Sequence, residues 1–302
     1  GVIMRAKWTD LAVEACGSAS KSDTEQLACG MERLTVRIDN ERDAQAMGRP
    51  CGVYVTLTCP QTMSIALKTR QALARELAVT LRSMLPKARQ SILVVGLGNR
   101  NVTPDSLGPR TAERILVTRH MAGCLPEDMT QSMASVSTAA PGVLGVTGME
   151  TVEILKGMVT HVQPDAVIAI DALAARSSSR IASTIQIADT GITPGSGVGN
   201  HRKALNEQTL GVPVIAVGVP LVVYASTIAS DALYALGGGE VEEERIAACV
   251  EQVVSLKLGE MVVTPREVDA LVERMSGVLA DGINQALQPN LTSAEIAQMM
   301  AQ

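Results

Sequence analysis

The chain has 302 residues, a formal net charge of −5 and 46% apolar residues, yet no Phe and a single Trp. Its core must come from Val, Ile, Leu, Ala and Met, a mixture that serves strands and helices together, and the acidic balance excludes a dedicated nucleic-acid binder. Six cysteines without a C-x-x-C pair exclude a zinc ribbon or a disulfide framework and point to reduced thiols in the cytoplasm.

The first fifty residues are polar and turn-rich. Within them residues 33–38 alternate as a half-exposed strand, and residues 53–58 supply an antiparallel partner. A helix is predicted over 62–85, with Leu73, Leu77 and Leu81 on one face and Pro86 as the stop. From residue 91 the pattern changes. Residues 92–95 form a continuous apolar strand, a glycine-marked loop follows, and a helix is predicted over about 109–120. A helix within 143–159 precedes a second buried strand at 166–170. Residues 181–187 and 212–217 read as further strands, and helices are predicted at 225–236, 242–258, 265–287 and the last residues. Although 212–229 is the most apolar stretch, Pro213, Gly218 and Pro220 interrupt it, so no membrane span is predicted. No apolar h-region opens the chain.

Strands alternating with helices predict an α/β fold with a mostly parallel central sheet and helices on both faces. One domain, 1–302, is expected. Residues 1–90 would add a small β-rich N-terminal layer to a core at 91–302.

Two aspartates follow buried-type strands. Asp105 lies in Ile92-Leu-Val-Val-Gly-Leu-Gly-Asn-Arg-Asn-Val-Thr-Pro-Asp-Ser-Leu-Gly-Pro109, and Asp171 ends Asp165-Ala-Val-Ile-Ala-Ile-Asp171. Gly96-Leu-Gly-Asn99 lacks the third glycine of a dinucleotide fingerprint, because Asn101 occupies that place. By itself Asp105 reads slightly better as a helix cap or Asx-turn residue than as a catalytic group. Asp171 sits where open α/β sheets place functional groups, with Arg176 nearby as a structural partner. Two carboxylates close in space can share a proton, one as general base toward water and the other as general acid. The same pair could instead hold a divalent ion with His201 as third ligand, although a lone loop histidine is more often a surface residue. Thr193-Pro-Gly-Ser-Gly-Val-Gly-Asn200 can form an amide nest or a plain surface loop. Residues 137–148, rich in small side chains, line a cleft. Ser177, Ser178 and Ser179 have no His/Asp set at nucleophile spacing.

These motifs resemble the germination proteases of spore-forming bacteria. The likeness rests on Val94-Val-Gly-Leu-Gly-Asn99 with Val102-Thr-Pro-Asp-Ser-Leu-Gly-Pro109, on Pro141-Gly-Val-Leu-Gly-Val-Thr-Gly-Met-Glu150 and on Ala169-Ile-Asp-Ala-Leu-Ala-Ala-Arg-Ser177. It continues through 189–202, Met261-Val-Val-Thr-Pro-Arg-Glu-Val-Asp269 and Thr9-Asp-Leu-Ala-Val-Glu14. The resemblance implies an atypical aspartic endopeptidase of the spore core that starts degradation of small acid-soluble spore proteins at germination. It implies a cytoplasmic homotetramer made as a zymogen, needing no cofactor. Asp105 and Asp171 match the family's aspartates, and Asp10–Leu11 matches its processing bond. Asn99, Gly142, Gly195, Gly197 and Asn200 become candidate substrate contacts. The segment between Asp231 and Met261 is shorter than the family pattern. The sheet and its first loop also resemble the hydrogenase-maturation endopeptidases, which implies a metal-dependent alternative with Asp105, Asp171 and His201 as ligands. An inactive binding protein on the same fold is the non-enzyme alternative.

Overall fold

The computed structural model describes residues 9–15, 21–60, 66–87, 91–121, 133–194, 203–237, 245–246, 248–250 and 261–301. A short helix, α1 (Ala12–Ala15), precedes β1 (Lys21–Gln26), β2 (Glu32–Ile38), α2 (Glu41–Met47) and β3 (Gly52–Thr58). The three strands form an antiparallel meander, so the pair expected at 33–38 and 53–58 is present, with Val36 opposite Tyr54. Helix α3 (Leu67–Met84) ends at Leu85, before Pro86, whose ring cannot continue a helix.

The next stretch carries β4 (Ser91–Gly96), α4 (Leu107–Ala112), β5 (Ser135–Ala139), α5 (Leu144–Thr147), α6 (Thr151–Val162) and β6 (Ala166–Ala175). One helix was expected over 143–159. Two form because Gly148 caps the first in the left-handed region, at φ +71°. Beyond them lie β7 (Thr184–Ala188), α7 (Glu207–Leu210), β8 (Val214–Tyr224), α8 (Ala225–Leu236), β9 (Val262–Val263), α9 (Val268–Leu287) and α10 (Ser293–Met300). Strand β8 runs on past the expected end at 217, through Gly218 and Pro220. Proline is tolerated there because the β6–β8 register shifts between Leu173 and Ala174, beside Pro220. The helix predicted over 242–258 falls mostly outside the described residues.

The strand order is β1-β2-β3-β7-β8-β6-β4-β5, with β9 on β8. The expectation of a mostly parallel sheet is therefore wrong. Pairings β4–β5, β4–β6 and β6–β8 are parallel, whereas β1–β2, β2–β3, β3–β7, β7–β8 and β8–β9 are antiparallel. Two local causes account for this. The β6–β7 connection is too short for a crossover helix, so β7 starts at the end where β6 stops and runs back. The N-terminal meander then joins the sheet through β7, rather than lying over it as a separate layer.

Burial on both faces explains the unbroken apolar runs. Ile92 and Val94 of β4 pack in one cluster with Leu73, Leu77 and Leu81 of α3 and Val272, Leu279 and Ile283 of α9. Leu93 and Val95 pack in another with Val152, Leu155 and Val159 of α6. With side chains alternating along each strand, both faces of the parallel part are sealed, and only strand ends and edges are left for chemistry.

Candidate functional site

The loop after β4 is shaped by backbone contacts that leave no room for side chains. A Cβ on Gly108 would meet the Leu97 carbonyl oxygen at 2.2 Å and the Ile170 carbonyl oxygen at 2.6 Å. The first turn of α4 is thus pressed directly onto the ends of β4 and β6. Gly98 adopts φ +108°, and a Cβ there would meet the Asp105 carbonyl oxygen at 2.1 Å. Between these two points the chain makes a 3-10 turn, Thr103–Asp105, which packs against β6.

Asp105 closes this turn, and the cap of α4 falls to the next residue, Ser106. The Asn99 backbone N–H donates to Asp105 Oδ2 at 2.7 Å, and the Asp105 N–H donates to the Val102 carbonyl at 2.8 Å. Asn99 Oδ1 meanwhile accepts from the Asn101 N–H at 3.0 Å. The carboxylate is only partly buried.

Asp171 is buried, at 5% exposure. It does not terminate its strand, as the sequence had suggested, because β6 continues to Ala175. It is instead the first residue past the reach of β4. The last β4–β6 pair is Gly96 with Ile170, and the Leu97 N–H closes onto the Ile170 carbonyl at 2.8 Å. On its other side Asp171 pairs with Gly218 of β8. Leu97 and Gly108, which bracket the loop that carries Asp105, thus both close on the Ile170 carbonyl, one residue before Asp171.

Further along this edge lies the segment that contains Asp10 and Leu11. The Asp10 N–H donates to the Ala174 carbonyl at 2.9 Å, and Asp10 Oδ2 accepts from the Ala174 N–H at 2.9 Å. The Asp10 carbonyl accepts from Gln186 Nε2 at 2.8 Å, and Gln186 Oε1 accepts from the Ala12 N–H at 2.5 Å. Leu11 is fully buried against Leu173, Ala175 and Val223. Glu14 accepts from the backbone N–H groups of Arg176 at 2.7 Å and Ser177 at 2.9 Å, with Arg180 Nε 3.5 Å away and the Thr9 hydroxyl also donating to it. Beside this strap a cavity of about 190 Å³ is bounded by Asp10, Arg49, Tyr54, Gln186 and Gly218. Burial lowers the affinity of the Arg49 guanidinium for its proton and pushes the Tyr54 phenol up.

Gly142 lies in the loop between β5 and α5 at φ +76°, a conformation that favours glycine. Gly195, Gly197, Asn200 and His201 lie outside the described residues. Among the described residues no three His, Cys, Asp or Glu side chains converge on a metal site. Sequence reading missed Arg49 and Gln186, which hold the strap, since neither lies in a motif. It also missed two buried amides, Asn284 of α9 and Gln288 at its C-cap. Asn284 accepts from the Leu116 N–H at 2.9 Å and donates to the Arg114 carbonyl at 3.0 Å, while Gln288 donates to the Ala134 carbonyl at 3.0 Å. A polar amide on the apolar stripe of a predicted helix was the available signal.

Asp105 thus lies in the turn that follows β4, and Asp171 lies within β6 just past the last β4 pair. The chain belongs to the germination protease family, whose model matches residues 20–237. It is 42% identical over 319 residues to the germination protease of Caldanaerobacter subterraneus subsp. tengcongensis, covering 97% of both chains. To that of Clostridium acetobutylicum it is 41% identical, covering 97% of this chain and 98% of the other. To that of Bacillus cytotoxicus it is 39% identical, covering 92% and 93%. These relationships make it a protease. A [NiFe] hydrogenase maturation protease, HycI from Thermococcus kodakarensis KOD1, matches 68% of this chain and 98% of its own at 16% identity and a TM-score of 0.34. At that level the expected likeness to hydrogenase-maturation endopeptidases carries no argument. No described helix is long and apolar enough to cross a membrane.

Proposed function

We propose that this protease is an endopeptidase of the spore core that starts degradation of small acid-soluble spore proteins at germination, with Asp105 and Asp171 activating water. The observation that supports the reading is that Leu97 and Gly108, on either side of the Asp105 turn, both close on the Ile170 carbonyl, next to Asp171 in β6. Each carboxylate accepts a backbone N–H, Asp105 from Asn99 at 2.7 Å and Asp171 from Ala172 at 2.9 Å, so burial is what separates them, and it favours the protonated form at Asp171. Asp105 is accordingly assigned as the base and Asp171 as the acid. Water gives its proton to Asp105 as its oxygen bonds to the peptide carbonyl carbon. The C–N bond then breaks as Asp171 gives its proton to the leaving nitrogen, yielding a carboxylic acid and an amine.

Asp10–Leu11 is proposed as the processing bond of a zymogen, and the active form as a homotetramer. Gln186 holds the carbonyl of that bond, and Leu11 is buried, so cutting there requires the strap to leave its groove. A single experiment tests the dyad. Purified protein is mixed with a small acid-soluble spore protein, and wild type is compared with Asp105→Asn and Asp171→Asn. Both variants are expected to lose cleavage by about 10²- to 10⁴-fold, the usual size of a general acid–base contribution. Wild-type rates in both would end the assignment. Activity that vanishes with chelator and returns with a divalent ion would replace the shared proton with a metal.

A further inference from the structure

We propose that the outer edge of β5 and the cavity beside it bind an extended, carboxylate-bearing peptide, with Arg119 supplying the positive charge and His120 a hydrogen-bonding imidazole. This rests on the reading of Asp105 and Asp171 as the cutting centre, since the peptide it takes is the substrate's continuation away from the scissile bond.

Among the described residues β5 ends the sheet, with β4 beside it. The Thr118 N–H donates to the Val136 carbonyl at 3.0 Å, and the Val136 N–H donates to Thr118 Oγ1 at 2.9 Å. Val136 therefore turns its backbone groups away from β4, and a single threonine takes the place of a neighbouring strand. Two residues on, Thr138 has the same orientation. Its outward N–H and C=O have no partner among the described residues, and no lysine or proline of β5 blunts this edge, as edge strands usually require. Such an edge accepts an extended peptide by adding it as another strand.

The chemistry beside the edge selects the peptide. A cavity of about 580 Å³ opens there, lined by Val117, Arg119, His120, Ser135, Ser137 and Thr138. Arg119 and His120 are exposed and have no acidic partner among the described residues, in a chain whose net charge is −5. The Ser137 hydroxyl oxygen is shielded from solvent and unpartnered. A guanidinium with no acidic partner among the described residues, an imidazole and a spare hydroxyl suit a carboxylate side chain on the bound strand.

The register gives the reach. Thr138 is level with Val94, and Val94 with Ile168, three residues short of Asp171. With a rise of about 3.3 Å per residue and strands about 4.8 Å apart, a peptide beside β5 lies roughly 18 Å from Asp171. Five or six extended residues, roughly, span that distance. The edge is thus a contact remote from the cut, and it acts on binding rather than on the chemical step.

The test separates this from the dyad. Binding of a fluorescein-labelled peptide spanning a cut site is measured by anisotropy on the Asp105→Asn/Asp171→Asn double variant, with and without Arg119→Glu. Reversing the charge is expected to weaken binding roughly tenfold, while Arg119→Lys retains it. A peptide with its acidic residues amidated should bind more weakly and be indifferent to Arg119→Glu. In otherwise wild-type protein Arg119→Glu should raise KM by a similar factor and leave kcat within about twofold. An unchanged Kd in the double variant overturns the proposal and leaves the dyad standing. So does a change in oligomer mass without a change in Kd, which would give this edge to a second copy of the chain. Undiminished cleavage by the double variant itself would instead remove the dyad, while the Kd comparison still decides the edge.

Discussion

The parallel half of the sheet and the antiparallel half hold their chains in different ways. Around β4 and β6 the backbone itself is the packing material. Gly98 and Gly108 have no side chain because carbonyl oxygens occupy the space where a Cβ would sit. At the strap, which joins the meander to the far end of β6, side chains bind backbone. Glu14, Gln186 and Arg49 clamp the strap, the last through the Thr9 carbonyl at 2.7 Å. Backbone-to-backbone packing fixes position to a fraction of an ångström, as acid–base chemistry requires. A side-chain clamp can open and close, as the proposed processing at Asp10–Leu11 requires.

Substitutions can break this contrast in graded steps. The largest effect falls on the carboxylates themselves, where either Asn replacement should abolish cleavage of a spore protein while leaving the melting temperature near wild type. Next come Gly98→Ala and Gly108→Ala. A methyl group driven into a carbonyl at 2.1–2.2 Å must displace the Asp105 turn. Each variant should lose about 10²-fold in kcat/KM, the cost of misplacing a catalytic group by about 1 Å. Near-wild-type kinetics in Gly108→Ala would show that the turn tolerates movement and that positioning is not its purpose.

Glu14→Ala comes third and addresses the other half. It leaves the partly buried N–H groups of Arg176 and Ser177 without their acceptor and should cost about 1–3 kcal/mol in denaturant unfolding. Release of the strap should also speed cutting at Asp10–Leu11 by added active protease, read by N-terminal sequencing. A slower cut would mean that the clamp presents the bond rather than shielding it. The smallest effect is a control. Gly157, in the exposed middle of α6, has nothing within 4 Å of its missing Cβ. Gly157→Ala should stabilise the protein by about 0.5–1 kcal/mol with unchanged kinetics.

Much of this was legible in the sequence, and the limits have physical causes. The 33–38 and 53–58 pair, the buried strands at 92 and 166, and the helix ending before Pro86 followed from periodicity and one proline. Sheet direction did not follow, because alternation marks a strand and says nothing of which neighbour it takes. The absence of a helix between β6 and β7 was the clue to an antiparallel return. Asp105 was recognisable as unusual from the glycines and prolines around it, yet its bond to Asn99 depends on a turn that no pattern encodes. The strap's contacts join residues more than 160 positions apart, as Asp10 to Ala174 and Gln186 do, beyond any local signal. Strand β5 was read only as part of a small-residue segment, because serine and threonine at a sheet edge lack the apolar run that marks a buried strand.

The central claim is that Asp105 and Asp171 act as one unit. Site-resolved carboxyl-carbon NMR titration of the wild type and of each Asn variant measures this directly. Two carboxylates that share a proton titrate as a pair, so removing either one should move the titration of the other toward the ordinary range, by the same amount in both directions. Titration of Asp171 that is indifferent to Asp105→Asn, and of Asp105 indifferent to Asp171→Asn, would contradict the account.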